Sequence, residues 1–237
     1  MQVVILCGGK GTRLLPKTEK VPKPLIAIGG KPILWHLMKV FSGYGHNDFI
    51  LCLGYLGHKI KEYFQDPDNF EEDWNITFAD TGLDSSKGER LRRIKDYIKS
   101  EDFLVSYGDD LSDVNIKELV KFHKKNKKIA TLTAINPVYD YGVLQMNGNN
   151  EIIGFKEKPK LDHWINAGFF VFNKKIFDYI KEGWDLEKEI FTTLSKDRQL
   201  SAFKHTGFWK SMNTIKDSIE LNEMWENSDL KKILWKS

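Results

Sequence analysis

Three glycines, Gly8, Gly9 and Gly11, lie among three cations, Lys10, Arg13 and Lys23, in the stretch LCGGKGTRLLPKTEKVPKPL. Glycine lets the main chain approach a ligand closely or adopt a positive φ, and clustered Lys and Arg suit a polyanion. Together they read as a cradle for nucleotide phosphates. Two familiar cradles are excluded by spacing. The dinucleotide fingerprint G-x-G-x-x-G would need glycine where this chain has Leu14, and the motif G-x-x-x-x-G-K-[ST] is absent. A plain glycine turn would leave Arg13 and Lys23 unexplained.

Further polar clusters follow along the chain. FLVSYGDD ends an apolar run on Gly108-Asp109. A carboxylate there can hold Mg²⁺, which takes one or two carboxylates together with substrate phosphates and water. It can equally serve a turn or a helix cap. Asp110 and Asp113 suit that second role better, Asp113 as the cap of a helix beginning near Asn115. In EKPK, Glu157 and Lys158 follow a strand, either facing a ligand or forming an exposed charged turn. In INAGFF, Asn166 faces a ligand beside Gly168 or is a buried structural amide. Pro22 and Pro24 hold Lys23 in an extended segment.

The elements that must position these groups alternate. QVVILC (2–7), FILCLG (49–54), NITFAD (75–80), DFLVSYGDD (102–110) and KIATLTAI (128–135) read as strands. Between them, 33–45, 58–64, 89–100 and 115–126 read as helices, with Leu91, Ile94 and Ile98 on one face of the third. Such alternation implies right-handed crossovers and a mostly parallel sheet covered on both faces. The second half adds antiparallel structure. Asn147-Gly148 marks a hairpin, 165–173 and 200–209 read as strands, and 214–226 as a helix. The expected fold is α/β, one domain over 1–237, with a mixed sheet and a small antiparallel elaboration. Ligands of such sheets bind beyond the carboxyl ends of the strands, where the glycine loop and Gly108-Asp109 both fall.

Composition narrows the partners. A net charge of +3 spread over mixed-sign sequence offers neither a nucleic-acid stripe nor a membrane patch. No apolar run is long enough for a signal peptide or a membrane span. The two cysteines, Cys7 and Cys52, lie in apolar runs and form neither a disulfide framework nor a metal motif. The expectation is a cytoplasmic protein with buried free thiols.

GGKGTRL followed by KPL, then GGKPILWH, resembles the start of the sugar-1-phosphate nucleotidyltransferases. DFILCLGYLGHKIKEYF, DTGLDSSKGERLRRI, FLVSYGDDLSD, KIATLTAI, FKEKPK, INAGFFVFN and GFWKSMNT extend the likeness over nearly the whole chain. It is greatest to the members that join CTP and glucose 1-phosphate into CDP-glucose and pyrophosphate. The resemblance implies a nucleotide-diphospho-sugar transferase (Rossmann-like) fold, with nucleotide bound by about 1–135 and sugar phosphate by about 136–237. It implies Mg²⁺, or Mn²⁺ in its place, and a homo-oligomer. It assigns Arg13 to the β- and γ-phosphates, Lys23 to the α-phosphate and Asp109 to the metal. Leu6, Gly8, Gly9, Lys10, Gly11, Thr12 and Gly108 would line the nucleotide, with Gly54 and Tyr55 by the base and Thr81, Gly82, Ser85 and Arg90 around it. Glu157, Lys158, Asn166 and Gly168 would hold the acceptor, with Tyr141-Gly142 on the sugar side.

The chain departs from that pattern twice. Where the family has a second metal-binding Asp, this chain has Asn213, a neutral oxygen ligand. Between EYF and NITFAD it has only QDPDNFEEDW where the family carries a longer insertion. Other nucleotides or acceptors, or a catalytically weak binding protein, are the competing readings. The tail, with Trp225, Leu230, Leu234 and Trp235, is expected to dock on the core, with a subunit interface as the alternative.

Overall fold

The computed structural model describes residues 1–69, 71–139, 141–160 and 162–234. β1 (Val3–Leu6) is an unbroken apolar run and is buried throughout. The short strands β2 (Ala27–Ile28) and β3 (Lys31–Pro32) pair around Gly29 and Gly30, both at positive φ. Helix α1 (Ile33–Ser42) buries Ile33, Leu34, Leu37, Met38 and Phe41, and stops at Gly43. β4 (Asp48–Leu53), α2 (Gly57–Gln65), β5 (Asn75–Asp80), α3 (Lys87–Arg93) and β6 (Asp102–Tyr107) complete the first half. Then come β7 (Asp110–Ser112), α4 (Ile116–Asn126), β8 (Ala130–Ile135), β9 (Val143–Met146), β10 (Ile152–Lys156) and β11 (Ile165–Asn173). A π-helix over Leu186–Phe191 runs into α5 (Thr192–Lys196), followed by β12 (Leu200–Lys204), β13 (Trp209–Ser211), α6 (Ile215–Glu226) and α7 (Asp229–Leu234).

The main sheet has the order β12-β8-β11-β6-β1-β4-β5. Only β11 runs against its neighbours, pairing antiparallel with β6 and β8 while the other pairs are parallel. This is the mixed, mostly parallel α/β sheet the alternation predicts. Each strand sends alternate residues to opposite faces. Val3, Ile5, Leu104, Phe169 and Val171 pack under α1, α4 and the C-terminal helices. Val4, Leu6, Val105, Phe170 and Phe172 pack under Leu91, Ile94, Leu186, Ile190 and Leu194. Because β11 is reversed, its start lies beside the end of β6, one strand from β1, bringing Asn166 and Gly168 to the edge that carries Gly8 and Gly108. Among the described residues, no helix is long and apolar enough to cross a membrane.

Several local readings are corrected. The third helix covers 87–93 rather than 89–100. The Ser86 side chain caps it by accepting from Glu89 N, and Lys95–Tyr97 forms a 3-10 turn. Leu91, Ile94 and Ile98 are buried all the same. The β9–β10 hairpin turns over 147–151, because the Asn147 side chain accepts from the amides of Asn149 and Glu151, and the positive φ falls at Asn150. Residues 200–209 are not one strand. Asp113 accepts from Phe208 N (2.7 Å) and meets His205 Nε2 (3.0 Å), pinning a corner that sends β12 to the main sheet and β13 to β7. Asp113 is therefore no helix cap; Asn115 caps α4, accepting from Glu118 N. Lys23 opens a 3-10 turn, Lys23–Leu25, and only Pro22 before it is extended.

The tail docks on the core. Leu230 and Leu234 are buried, and the Trp225 ring lies 4.6 Å from that of His36 and against Gly29. Trp235 lies outside the described residues.

Candidate active site

A cavity of about 250 Å³ opens at the carboxyl ends of β1 and β6, lined by Leu6, Gly9, Gly11, Thr12, Arg13, Lys23, Gly108 and Asp109, with Cys7 and Pro24. The first and last of these groups lie far apart in sequence; the parallel pairing of β1 with β6 joins them. Gly11 sits at φ +62, caps the 3-10 turn Thr12–Leu14 and packs against Lys23 and Thr18. Nothing crowds the open side of Gly9, so main chain there faces the cavity directly. Arg13 is exposed and has no ion-pair partner among the described residues. Lys10 is exposed and pairs with Asp84 at 2.8 Å.

Lys23 is buried, and its ammonium is held by two segments distant in sequence. It pairs with Asp109 Oδ2 and donates to Asn213 Oδ1 at 3.1 Å. Asn213 reaches this point because β13 pairs with β7, Met212 N donates to Asp109 O (2.9 Å), and Thr214 with Asp217 forms a capping box that starts α6. Asn213 Nδ2 donates to Ser211 Oγ at 2.9 Å, and Ser211 in turn hydrogen-bonds Asp110. Burial, and then the Asp109 carboxylate, push the Asp110 pKa well up; Ser211 opposes that rise. Two hard oxygens, one of them charged, thus converge on a single cationic point. That donor set fits a hard divalent cation. No group of three or more His, Cys, Asp or Glu gathers as a metal cluster among the described residues, so the remaining ligands would be phosphate oxygens and water.

Other predicted residues form the wall behind the cavity. Arg90 is only 4% exposed. It donates to the carbonyls of Gly8, Leu53, Gly82 and Leu83 and to Thr81 Oγ1, at 2.8–3.2 Å. Its guanidinium is spent on protein oxygens. Thr81 is fully buried, donating to Leu53 O at 2.6 Å. The side chains of Arg90 and Thr81 are therefore engaged by the protein's own oxygens. A Cβ at Gly8 or Gly54 would strike the Arg90 guanidinium, so these glycines make room for the arginine. Tyr55 N donates to Gly8 O (3.0 Å), and Ser85 Oγ to Thr81 O (2.5 Å), closing the same wall with Gly82 at φ +85. Cys7 and Cys52 are buried free thiols, Cys7 pushed up to about 12 by burial.

Glu157 and Lys158 are exposed at the end of the β9–β10 hairpin, Lys158 at positive φ, with Glu157 close to Gly142. They do not line the cavity. Asn166 is half-buried, accepts from Gly168 N at 3.0 Å and donates to Tyr107 O–H at 3.2 Å. A larger groove of about 1140 Å³ runs from Asn136 and Tyr141 to Asp217 and touches the site only at Ser211 and Asn213. In it Lys210 pairs with Glu220 and Asp217, Lys216 with Glu220, and His205 with the neighbouring Asp113. Sequence reasoning missed Ser211, Tyr107, Lys87 and Glu187. Tyr107 had a signal, a hydroxyl at the last position of the strand before Gly108-Asp109; Glu187, in DLEKEIF, had none.

The nucleotidyl transferase family model matches residues 2–228. The chain belongs to the nucleotidyl transferase family. This nucleotidyl transferase is 42% identical to "Probable glucose-1-phosphate cytidylyltransferase" of Bacillus subtilis (strain 168), over 99% of the chain and 100% of that protein. It is also 42% identical to glucose-1-phosphate cytidylyltransferase of Salmonella typhimurium (strain LT2), over 100% of the chain and 99% of that protein. The latter alignment spans 259 positions against 237 residues here, so that relative carries segments this chain lacks. The solved structure of HddC from Yersinia pseudotuberculosis complexed with GMP-PN superposes with a TM-score of 0.73 at 22% identity, covering 94% of this chain and 99% of that one. That likeness is one of fold.

Proposed function

We propose that this nucleotidyl transferase moves the cytidylyl group of CTP onto glucose 1-phosphate, releasing pyrophosphate and CDP-glucose. The observation that carries the reading is the 42% identity, over essentially the whole chain, to glucose-1-phosphate cytidylyltransferase. The cavity supports it, since it gathers main chain, Arg13 and Lys23 in one pocket.

Two polyanions must meet, so their repulsion has to be screened. Arg13 would take the β- and γ-phosphates by charge-assisted hydrogen bonds. Lys23, next to Asp109, would place its charge at the α-phosphate. The acceptor's phosphate oxygen then attacks the α-phosphorus in line, and the bond to the β-phosphate oxygen breaks. No covalent enzyme intermediate is needed; catalysis is positioning and charge stabilisation. Transfer in this family uses a divalent cation, which we take to be Mg²⁺ with Mn²⁺ able to replace it. It would be held by Asp109 and Asn213 and would neutralise phosphate charge. Residues up to about 135 would form the nucleotide half, and the remainder, with Glu157, Lys158, Asn166 and Gly168, the acceptor half.

We further propose a cytoplasmic homo-oligomer. Leu144, Met146, Ile152, Ile153 and Phe155 leave about half or more of their surface open on the β9–β10 hairpin, apolar side chains that a second copy would cover. One observation favours a second reading. The Asn213 amide is satisfied on both sides, by Lys23 and Ser211, as suits a protein that binds nucleotide without rapid turnover. Pyrophosphate release from CTP, glucose 1-phosphate and Mg²⁺ or Mn²⁺, across a panel of nucleotides and sugar phosphates, separates the two. Binding without release by any combination would reject the transferase reading.

A further inference from the structure

On the face of the sheet that carries Phe170, four polar side chains form a continuous chain beside the site: Lys87, Glu187, Tyr107 and Asn166. Tyr107 ends β6, and its hydroxyl donates to Glu187 Oε1. Lys87 pairs with the same oxygen, its ammonium 4.9 Å from the centre of the Tyr107 ring. Asn166 Nδ2 donates to the Tyr107 oxygen at 3.2 Å, and Asn166 Oδ1 accepts from Gly168 N at 3.0 Å. Glu187 is itself fixed at the start of the π-helix, where Asp185 accepts from its backbone amide at 3.1 Å. Such helices often mark functional positions.

The direction of each hydrogen bond follows from the charge at one end. A phenol has one proton, and a carboxylate is the stronger acceptor, so the Tyr107 proton goes to Glu187. The lone pairs of Tyr107 are then left for Asn166, which must present its NH₂ to them. The carbonyl oxygen of Asn166 is thereby turned to Gly168, and its second N–H is the donor left for a ligand. Glu187 Oε2 is buried without a hydrogen-bond partner among the described residues. A carboxylate left in that state asks for a role beyond packing.

We propose that Glu187 is a positioning residue for acceptor recognition, setting the amide of Asn166 through the hydroxyl of Tyr107. The inference rests on the reading that Asn166 faces the sugar of the acceptor.

The test is steady-state kinetics of Glu187→Ala, Tyr107→Phe, the double variant and Glu187→Gln, with CTP and glucose 1-phosphate varied separately. Either truncation should raise the KM for glucose 1-phosphate about tenfold, the loss of one well-placed hydrogen bond, and leave the KM for CTP within about twofold. The double variant should be no worse than either single one, because both cut one chain. Glu187→Gln keeps an oxygen for the Tyr107 proton and should return most of the acceptor affinity. An unchanged acceptor KM in Tyr107→Phe, equal rises for both substrates, or multiplicative losses in the double variant would overturn the inference and leave the transferase reading standing. Absence of wild-type turnover with every acceptor would remove that reading and the inference with it.

Discussion

Replacing Arg90 by Ala separates a strut from a nucleotide contact. Its guanidinium joins the loops after β1, β4 and β5 through Gly8, Leu53, Gly82 and Leu83. In the variant, Gly8 O keeps Tyr55 N, and Leu53 O keeps Thr81 N and Oγ1. The carbonyls of Gly82 and Leu83 lose the donor that holds them. Hydrogen bonds to charged groups contribute about 1.5–3 kcal/mol each, and those that retain another donor contribute less. Loss of the buried cation offsets part of the total, since burial already pulls the Arg90 pKa down. A net destabilisation of about 3–5 kcal/mol follows, or a fall in Tm of roughly 10 °C for a chain of this size. Thermal melting by circular dichroism reads it directly. Gly8→Ala supplies the internal check, because the new Cβ would meet the guanidinium. The loss from Gly8→Ala should therefore be smaller in the Arg90→Ala background than alone, though Gly54 N, 2.9 Å from the same Cβ, keeps it above zero. An unchanged Tm with a large rise in the KM for CTP would show that Arg90 touches nucleotide, and the strut argument would be wrong.

Lys23→Ala should lower kcat by about a hundredfold or more, the loss expected for a charge beside a reacting phosphorus; a near-wild-type rate in a pyrophosphate-release assay would reject its placement. Asn213→Asp should tighten Mn²⁺ binding in the presence of CTP about tenfold, read as free Mn²⁺ by electron paramagnetic resonance, because a charged ligand replaces a neutral one; unchanged affinity would separate Asn213 from the metal. His36 is buried with Nε2 2.8 Å from Ile28 O, and burial lowers its pKa to about 4 from an ordinary 6.5. The unfolded chain binds the extra proton between those values, so stability should fall as pH drops from 6.5 towards 4, by roughly 3 kcal/mol in all. His36→Gln should flatten that part of the Tm-against-pH curve, and an identical slope would place the effect elsewhere.

The sheet was legible because each buried strand is a short apolar run between turn residues, and burial on both faces leaves no room for polar alternation. The cavity was legible for a related reason. Gly9, Gly11, Arg13, Lys23 and Asp109 lie in the loops that leave β1 and β6, and the parallel pairing of those strands brings the two loops together at one end of the sheet. Reading failed where a side chain overrides a local signal. The Asn147 carboxamide widens the turn at Asn147-Gly148 to 147–151, and the Asp113 carboxylate breaks 200–209 into two strands. At Arg90 and Thr81 spacing gave the segment but not the hydrogen bonds these side chains make to main-chain carbonyls. Spacing places a residue in a loop and does not say which way it points.

Charge balance explains how this site can hold together with an amide at 213. Asp109 and Asp110 are consecutive, and burial with like charge already raises Asp110. An Asp at 213 would add a third carboxylate within reach of the single ammonium of Lys23. It would also remove the Nδ2 donor to Ser211, whose hydroxyl serves Asp110. In the absence of a cation, the amide is the better partner: it accepts from Lys23 on one side and donates to Ser211 on the other. Once a divalent cation is present the preference reverses, since a carboxylate oxygen binds it more strongly than a carbonyl. Asn213→Asp should therefore lower the Tm without metal and restore or exceed it with Mn²⁺ and CTP. A variant that gains or loses Tm equally in both conditions would show that residue 213 does not exchange Lys23 for a metal.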